Sequence, residues 1–229
     1  MITDVVIVPG APLLLPEYQG RVAAVPGLLE SCVGVLSEAV GSSHHVVVVH
    51  ATDREARSTK PAIGLRVADH LLAATHQAFE VEHVAVAWDA SVQECMTLGR
   101  ELKSGSGTTL LVVGDGSARR TEKAPGHLDT RAADVDDAIV AAISGAADGD
   151  LERLLELDPE VCAELLVAGR APLQVLAAAV SSDPTPALAS ADVVARAATS
   201  AGDARCEVVS CEVTDPCGVL YVVAHLRLH

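Results

Sequence analysis

Apolar residues along the first half of the chain follow two alternating rhythms. Short Val-rich runs at Asp4 to Pro9, His45 to His50, His83 to Trp88 and Thr109 to Gly114 are apolar on both faces. That is the pattern of central strands covered by helices on each side. Between them the spacing changes to a helical period. It predicts helices over Pro26 to Val40, Leu65 to Phe79 and Ser91 to Leu102. In the second, Leu65, Ala68, Leu72, Thr75 and Phe79 form one stripe, as an amphipathic helix requires. The third opens with Ser91 and Glu94 at capping-box spacing. This β-α-β-α order predicts an α/β layered fold, with a mostly parallel central sheet and helices on both faces.

After Gly114 the pattern changes. A polar loop runs to about Asp129, which is placed to cap a following helix. Asp158-Pro159 is a strong helix start, with Gly169 suited to its end. Another helix is expected near Pro172 to Val180, then a loop from Ser181 to Ala191. Two closing strands, Arg205 to Val213 and Gly218 to Leu228, flank a Thr214-Asp215-Pro216-Cys217 turn. They predict a C-terminal antiparallel hairpin on the sheet edge. No stretch has linker composition, so residues 1–229 are expected to form a single domain.

Composition narrows the function. The 229 residues are half apolar, yet Tyr18, Phe79, Trp88 and Tyr221 are the only aromatics, so Val, Leu, Ile and Ala must build the core. A formal net charge of −15 argues against a nucleic-acid partner, and so does the lack of aromatic platforms for bases. No run reaches the ~18 apolar residues of a membrane helix; the nearest, Leu165 to Val180, is interrupted by Arg170, Pro172 and Gln174. The start lacks the basic flank of a signal peptide. Six Cys without an export signal are expected to be reduced thiols in a cytoplasmic protein. Cys162, Cys206 and Cys211 read as core residues, and Cys217 as an accessible thiol in its turn.

Ligands of open α/β sheets bind beyond the carboxyl ends of the strands. Three segments sit there: Pro9 to Glu17, His50 to Asp53, and Gly114 to Arg120. In the third, Gly114 and Gly116 flank Asp115 and permit close backbone approach. Arg119, Arg120 and Lys123 follow. From Asp129 to Glu164, by contrast, eleven acids face two bases, a run expected to be the solvated face of helices. The basic island is either an anion site built on guanidinium forks or a surface neutraliser of acidic neighbours. No nucleotide fingerprint or serine-hydrolase elbow is present. Of the nine His, His70 and His76 are expected on the outer side and flank of their helix. His225 and His229 are expected on a wet strand face with Arg227. His44, His45 and His83 are expected to precede strands on the rim opposite the site. His50 and His127 remain, each either a site residue or a hydrogen-bonded structural His.

Val8-Pro9-Gly10-Ala11-Pro12-Leu13-Leu14-Leu15-Pro16-Glu17 resembles the P-H-x-P-L-L motif of the class III extradiol dioxygenase superfamily, to which the Memo-type proteins are related. A strand ending at His50 matches a second family His. Gly114-Asp115-Gly116-Ser117-Ala118 resembles the family's G-D-x-S-H. The longer run Gly114 to Ala133, with Gly169-Arg170-Ala171-Pro172, is similar to an uncharacterised bacterial branch. The resemblance covers most of the chain. It implies an α/β fold and a cleft in which two His and a Glu hold Fe(II), with a further His as acid–base group.

Carried over residue by residue, the first ligand position holds Gly10 and the acid–base position holds Ala118. Only His50 is left as a metal ligand. Loss of an acid–base group alone removes roughly 10²–10⁴ in rate. The expectation is a fold that outlives its chemistry: no cofactor, no ring cleavage, and a cleft that binds a small anion or serves a non-catalytic subunit. Asp115, Ser117 and His127 are the candidate catalytic residues. Gly10, Glu17, Gly114, Gly116, Arg119 and Arg120 are the candidate ligand-binding residues. Two other readings stand beside this one. One is an active metal-dependent oxidoreductase or hydrolase with a rearranged set of Glu17, His50, Asp115 and His127. The other is a homodimer or interaction scaffold.

Overall fold

The structure is a computed structural model that describes residues 1–20, 25–41, 43, 45–55, 59–102, 107–181 and 206–229. Six strands form one sheet: β1 (Ile2–Val8), β2 (His45–Ala51), β3 (Glu80–Val86), β4 (Thr108–Val113), β5 (Cys206–Thr214) and β6 (Tyr221–Leu228). Their spatial order is β3-β2-β4-β1-β6-β5. The first four run parallel, while β6 pairs antiparallel with both β1 and β5. The layered α/β fold, mostly parallel sheet and C-terminal hairpin are therefore as expected.

Alternating strand residues feed two cores. Val6, Val8, Val46, Val48, Leu111 and Val113 pack under α1 (Leu28–Val40) and α2 (Ile63–Ala74). Val5, Ile7, Val47, Val49, Leu110 and Val112 pack on the other face. There they meet α3 (Val92–Glu101), α4 (Arg131–Ser144), α5 (Pro159–Glu164), α6 (Arg170–Val180) and a 3₁₀ segment, Asp150–Glu156. The chain moves outward from β1 to β2 and β3, then returns through α3 on the opposite face to place β4 between β2 and β1. That reversal opens a crevice at the carboxyl ends of β1, β2 and β4.

Several boundaries and environments differ from the sequence expectations. The third strand starts at Glu80 and stops before Trp88. It is an exposed edge, since nothing pairs with its outer side among the described residues. His83 therefore lies within β3, and His45 is the first residue of β2. Helix α2 ends at Ala74 with Thr75 as its C-cap, because His76 takes a positive φ of 55°; Phe79 falls outside it. The Asp158-Pro159 start holds, with Asp158 accepting from the amides of Glu160 and Val161. That helix stops at Glu164, Leu166 turns through a φ of 58°, and Gly169 instead begins α6. Ser91 and Glu94 form the full capping box.

His225 is not wet. It is fully buried and donates from Nε2 to Asp4 Oδ1 at 2.9 Å. The reason is topological: β6 is an inner strand between β1 and β5, so the hairpin's edge is β5 alone. The acidic run is also not wholly solvated. Asp136 sits at 0 % exposure on the inner face of α4, among Ala132, Ile139 and Ile143. His44, Arg205 and the segment 182–191 lie outside the described residues. No helix among those described is long and apolar enough to cross a membrane.

Candidate functional site

The crevice holds a cavity of about 300 Å³. Gly10 and Pro12 reach it from the end of β1, Ala51 to Arg54 from β2, Trp88 from β3, and Val113 to Asp115 from β4. Ile63 and Gly64 of α2 close one side. Pro159, Cys162, Ala163 and the turn Leu166 to Ala168 close the other, with Arg170 at the start of α6. Most of this lining is apolar, so each charged group in it carries weight.

Arg170 is only 2 % exposed. Its guanidinium donates to the carbonyl oxygens of Trp88 (2.7 Å) and Ala90, and to Gln174 Oε1 at 3.1 Å. Gln174 is held in turn by donating to Leu157 O. No carboxylate pairs with Arg170 among the described residues. A buried cation whose partners are all neutral retains an uncompensated charge. At the wall, Arg54 stacks over Trp88, 4.8 Å from the ring centroid, and donates to Ala163 O at 2.9 Å. Asp53 lines the mouth but is engaged as an acceptor for the Ile63 amide that opens α2. Cys162 also lines the cavity, but burial pushes its thiol up to about 11, with the Arg170 charge pulling the other way. It is no nucleophile near neutrality.

Asp115 is the remaining ionisable group of the lining. Burial raises its carboxyl to about 7, and the Gly10 backbone opposes that shift. Its Oδ1 is sealed from solvent and accepts no hydrogen bond among the described residues. The local backbone is tightly fixed: the Gly169 amide donates to Asp115 O at 2.8 Å. A Cβ on Gly114 would stand 2.3 Å from Gly169 Cα. Two glycines are needed for that approach.

The structure brings together only part of the expected set. Gly10, Gly114 and Asp115 line the cavity. Ser117 is fully buried behind it, donating from N and Oγ to the two Asp136 oxygens at 2.7 and 2.6 Å. Arg120 is committed to Asp136 (2.9 Å) and Asp215 (3.0 Å). Gly116 packs so closely on Asp136 and Leu220 that a side chain there would overlap both. Arg119 lies against Gly126 with its Nε sealed and unpartnered. His127 is exposed with a φ of 60°, and Glu17 is exposed and paired with Arg66 and Lys60. None of these six lines the cavity.

His50 is 3 % exposed, lies beneath the Gly64 backbone, and donates from Nδ1 to Ala51 O at 3.0 Å. Fe(II) of the resembled family needs two imidazoles and a carboxylate. Here Gly10 offers no donor, His50 is outside the cavity lining, and burial raises the Asp115 carboxyl to about 7. Among the described residues no group of three or more His, Cys, Asp or Glu is placed to hold a metal ion. The donor set does not fit that iron site.

Sequence reasoning missed Arg54, Trp88 and Arg170. Arg170 had a legible signal: it is a lone charge inside an apolar run, which calls for a buried partner. Arg54 and Trp88 had none, because their stacking joins two loops far apart in sequence. No family model matches the chain, and no curated protein matches it.

Proposed function

We propose that the chain binds a small organic anion at the carboxyl-end cavity, on an extradiol-dioxygenase-like fold that does not cleave rings. One observation carries this reading: Arg170 is a buried cation on the cavity wall with no carboxylate partner among the described residues. An anion in the cavity supplies the missing counter-charge, in a setting where charge-assisted contacts are strong. Arg54 adds a second guanidinium. The apolar lining from Ile63, Val113, Leu166 and Val167 favours an organic anion over inorganic phosphate. The volume suits a ligand at the small end of the usual range.

The test is calorimetric titration with acetate, pyruvate, benzoate and phosphate on wild type, Arg170→Met and Arg170→Lys. A charge-assisted contact is worth about 1.5–3 kcal/mol, so Arg170→Met should weaken carboxylate binding roughly 10- to 150-fold. Arg170→Lys keeps the charge and should lose less. Circular dichroism checks that the variants are folded. Absence of carboxylate binding to wild type, or equal affinity in folded Arg170→Met, sinks the reading. Tighter binding of phosphate than of any carboxylate removes its organic-anion part. Oxygen uptake with catechols by iron-loaded protein would overturn the claim that the ring-cleaving chemistry is lost.

A further inference from the structure

Asp115 and Arg170 line the same cavity yet form no ion pair. An acid facing an anion pocket should repel the ligand if it is ionised. Its surroundings point the other way. From α1 the neighbour is the Cys32 thiol, and from β6 the Tyr221 phenol, both of which sense the Asp115 charge and are themselves held neutral by burial. The Gly10 backbone stands over the carboxyl from the β1 side. From the loop before α6 the Gly169 amide donates to the Asp115 carbonyl. Around the cavity the other ionisable groups are Asp53, Arg54, Cys162 and Arg170. None of them makes a hydrogen bond or ion pair with Asp115 among the described residues. A sealed, unpartnered oxygen is costly on a carboxylate and tolerable on a carboxylic acid.

We propose that Asp115 meets the bound anion as a hydrogen-bond donor, so that the pocket takes up a proton from solvent together with its ligand. This deepens the reading of the cavity as an anion site and rests on it. The arginines supply charge. Asp115 selects for an anion whose oxygen can accept, and it makes affinity depend on pH. Below neutrality the donor is already in place. Above it, each binding event must first protonate the acid, and affinity falls.

The experiment titrates the full chain with acetate, pyruvate and benzoate, whose carboxylates stay ionised throughout, at pH 6 to 8.5. With the carboxyl held up to about 7, affinity should fall roughly 30-fold across that range in wild type. Asp115→Asn keeps an N–H donor in the same place and cannot titrate, so its affinity should stay flat from pH 6 to 8.5. Titration of wild type at pH 8 in two buffers of different ionisation enthalpy should show close to one proton taken up per ligand. That measurement decides the matter even if the variant does not fold. A flat wild-type profile, no proton uptake, or an unchanged slope in Asp115→Asn overturns the role of Asp115 and leaves the anion site standing. Failure of all three carboxylates to bind wild type at pH 6 overturns the anion site itself.

Discussion

Two acids sit within reach of the same short loop and meet opposite fates. Asp136, on the inner face of α4, is wholly buried and accepts from Ser117 N, Ser117 Oγ and Arg120 Nη1 within 2.9 Å. Asp115, at the start of that loop, is half-buried on the cavity wall with Oδ1 unpartnered. The first has its charge compensated by a guanidinium and its lone pairs filled, as a structural carboxylate requires. The second has neither. The arginines repeat the contrast: Arg120 bridges Asp136 and Asp215, whereas among the described residues the hydrogen-bond partners of Arg170 are neutral. Polar groups whose demands are met behind the cavity hold the loop. Those left with unmet demands lie on its wall.

The largest effect should come from breaking the satisfied side. Asp136→Ala strands the Ser117 hydroxyl and amide and leaves the Arg120 charge with exposed Asp215 alone. Removing one partner of a buried ion pair costs about 3–5 kcal/mol, which denaturant unfolding would read directly. A loss below about 1 kcal/mol, the range of an exposed pair, would mean that the knot does not hold the loop. Gly114→Ala comes next. Its Cβ would stand 2.3 Å from the Gly169 backbone, where no flexible side chain can give way, and overpacking of this kind costs about 1–3 kcal/mol. Because the displaced segment carries Asp115 and Arg170, carboxylate binding should fall along with stability.

How far these regions can be read from sequence follows the same division. The strand–helix alternation is legible because strands covered on both faces must be apolar throughout, as Val46 to Val49 are. Asp136 is legible in retrospect, since it falls at helical spacing with Ala132, Ile139 and Ile143, where a solvated Asp does not belong. His225 is not legible. Its burial depends on β6 lying inside the sheet, and its partner, Asp4, is at the other end of the chain. The two readings of the basic island stay open in sequence because the partners of Arg120, Asp136 and Asp215, come from other elements. Of the guanidiniums that do line the cavity, Arg170 shows in sequence only as a lone charge within an apolar run, and no local pattern marks Arg54.

A smaller, pH-dependent effect tests the unsatisfied side of the comparison. The folded protein raises the Asp115 carboxyl from its ordinary value of 3.8 to about 7. The folded state therefore binds more protons than the unfolded chain between those limits. Stability should fall as pH rises through that window, with a slope for this group no steeper than about 1.4 kcal/mol per pH unit. Other titrating groups add their own slopes, so the informative quantity is the difference between wild type and Asp115→Asn. The difference should change between pH 4 and 7 in the direction that favours the variant at higher pH. Parallel stability profiles for the two proteins would show that Asp115 is ionised without penalty.

The smallest effect on the fold is expected at Arg54, and that makes it the sharpest probe of the comparison. Arg54 is exposed, and its contacts are a stack on Trp88 and a hydrogen bond to Ala163 O. An exposed cation–π contact is worth about 0.5–1 kcal/mol, so Arg54→Ala should lower stability by no more than about 1 kcal/mol. Its effect on binding should be larger. The guanidinium has no carboxylate partner to leave among the described residues, so turning towards an anion costs it only the stack and one neutral hydrogen bond. Loss of a charge-assisted contact of about 1.5 kcal/mol corresponds to roughly tenfold weaker carboxylate binding. The same substitution at Arg120 should do the reverse, destabilising the chain while leaving the carboxylate affinity of the folded fraction nearly unchanged. If Arg54→Ala and Arg120→Ala instead alter stability and binding in the same proportion, the division between a structural knot and a ligand-facing wall fails.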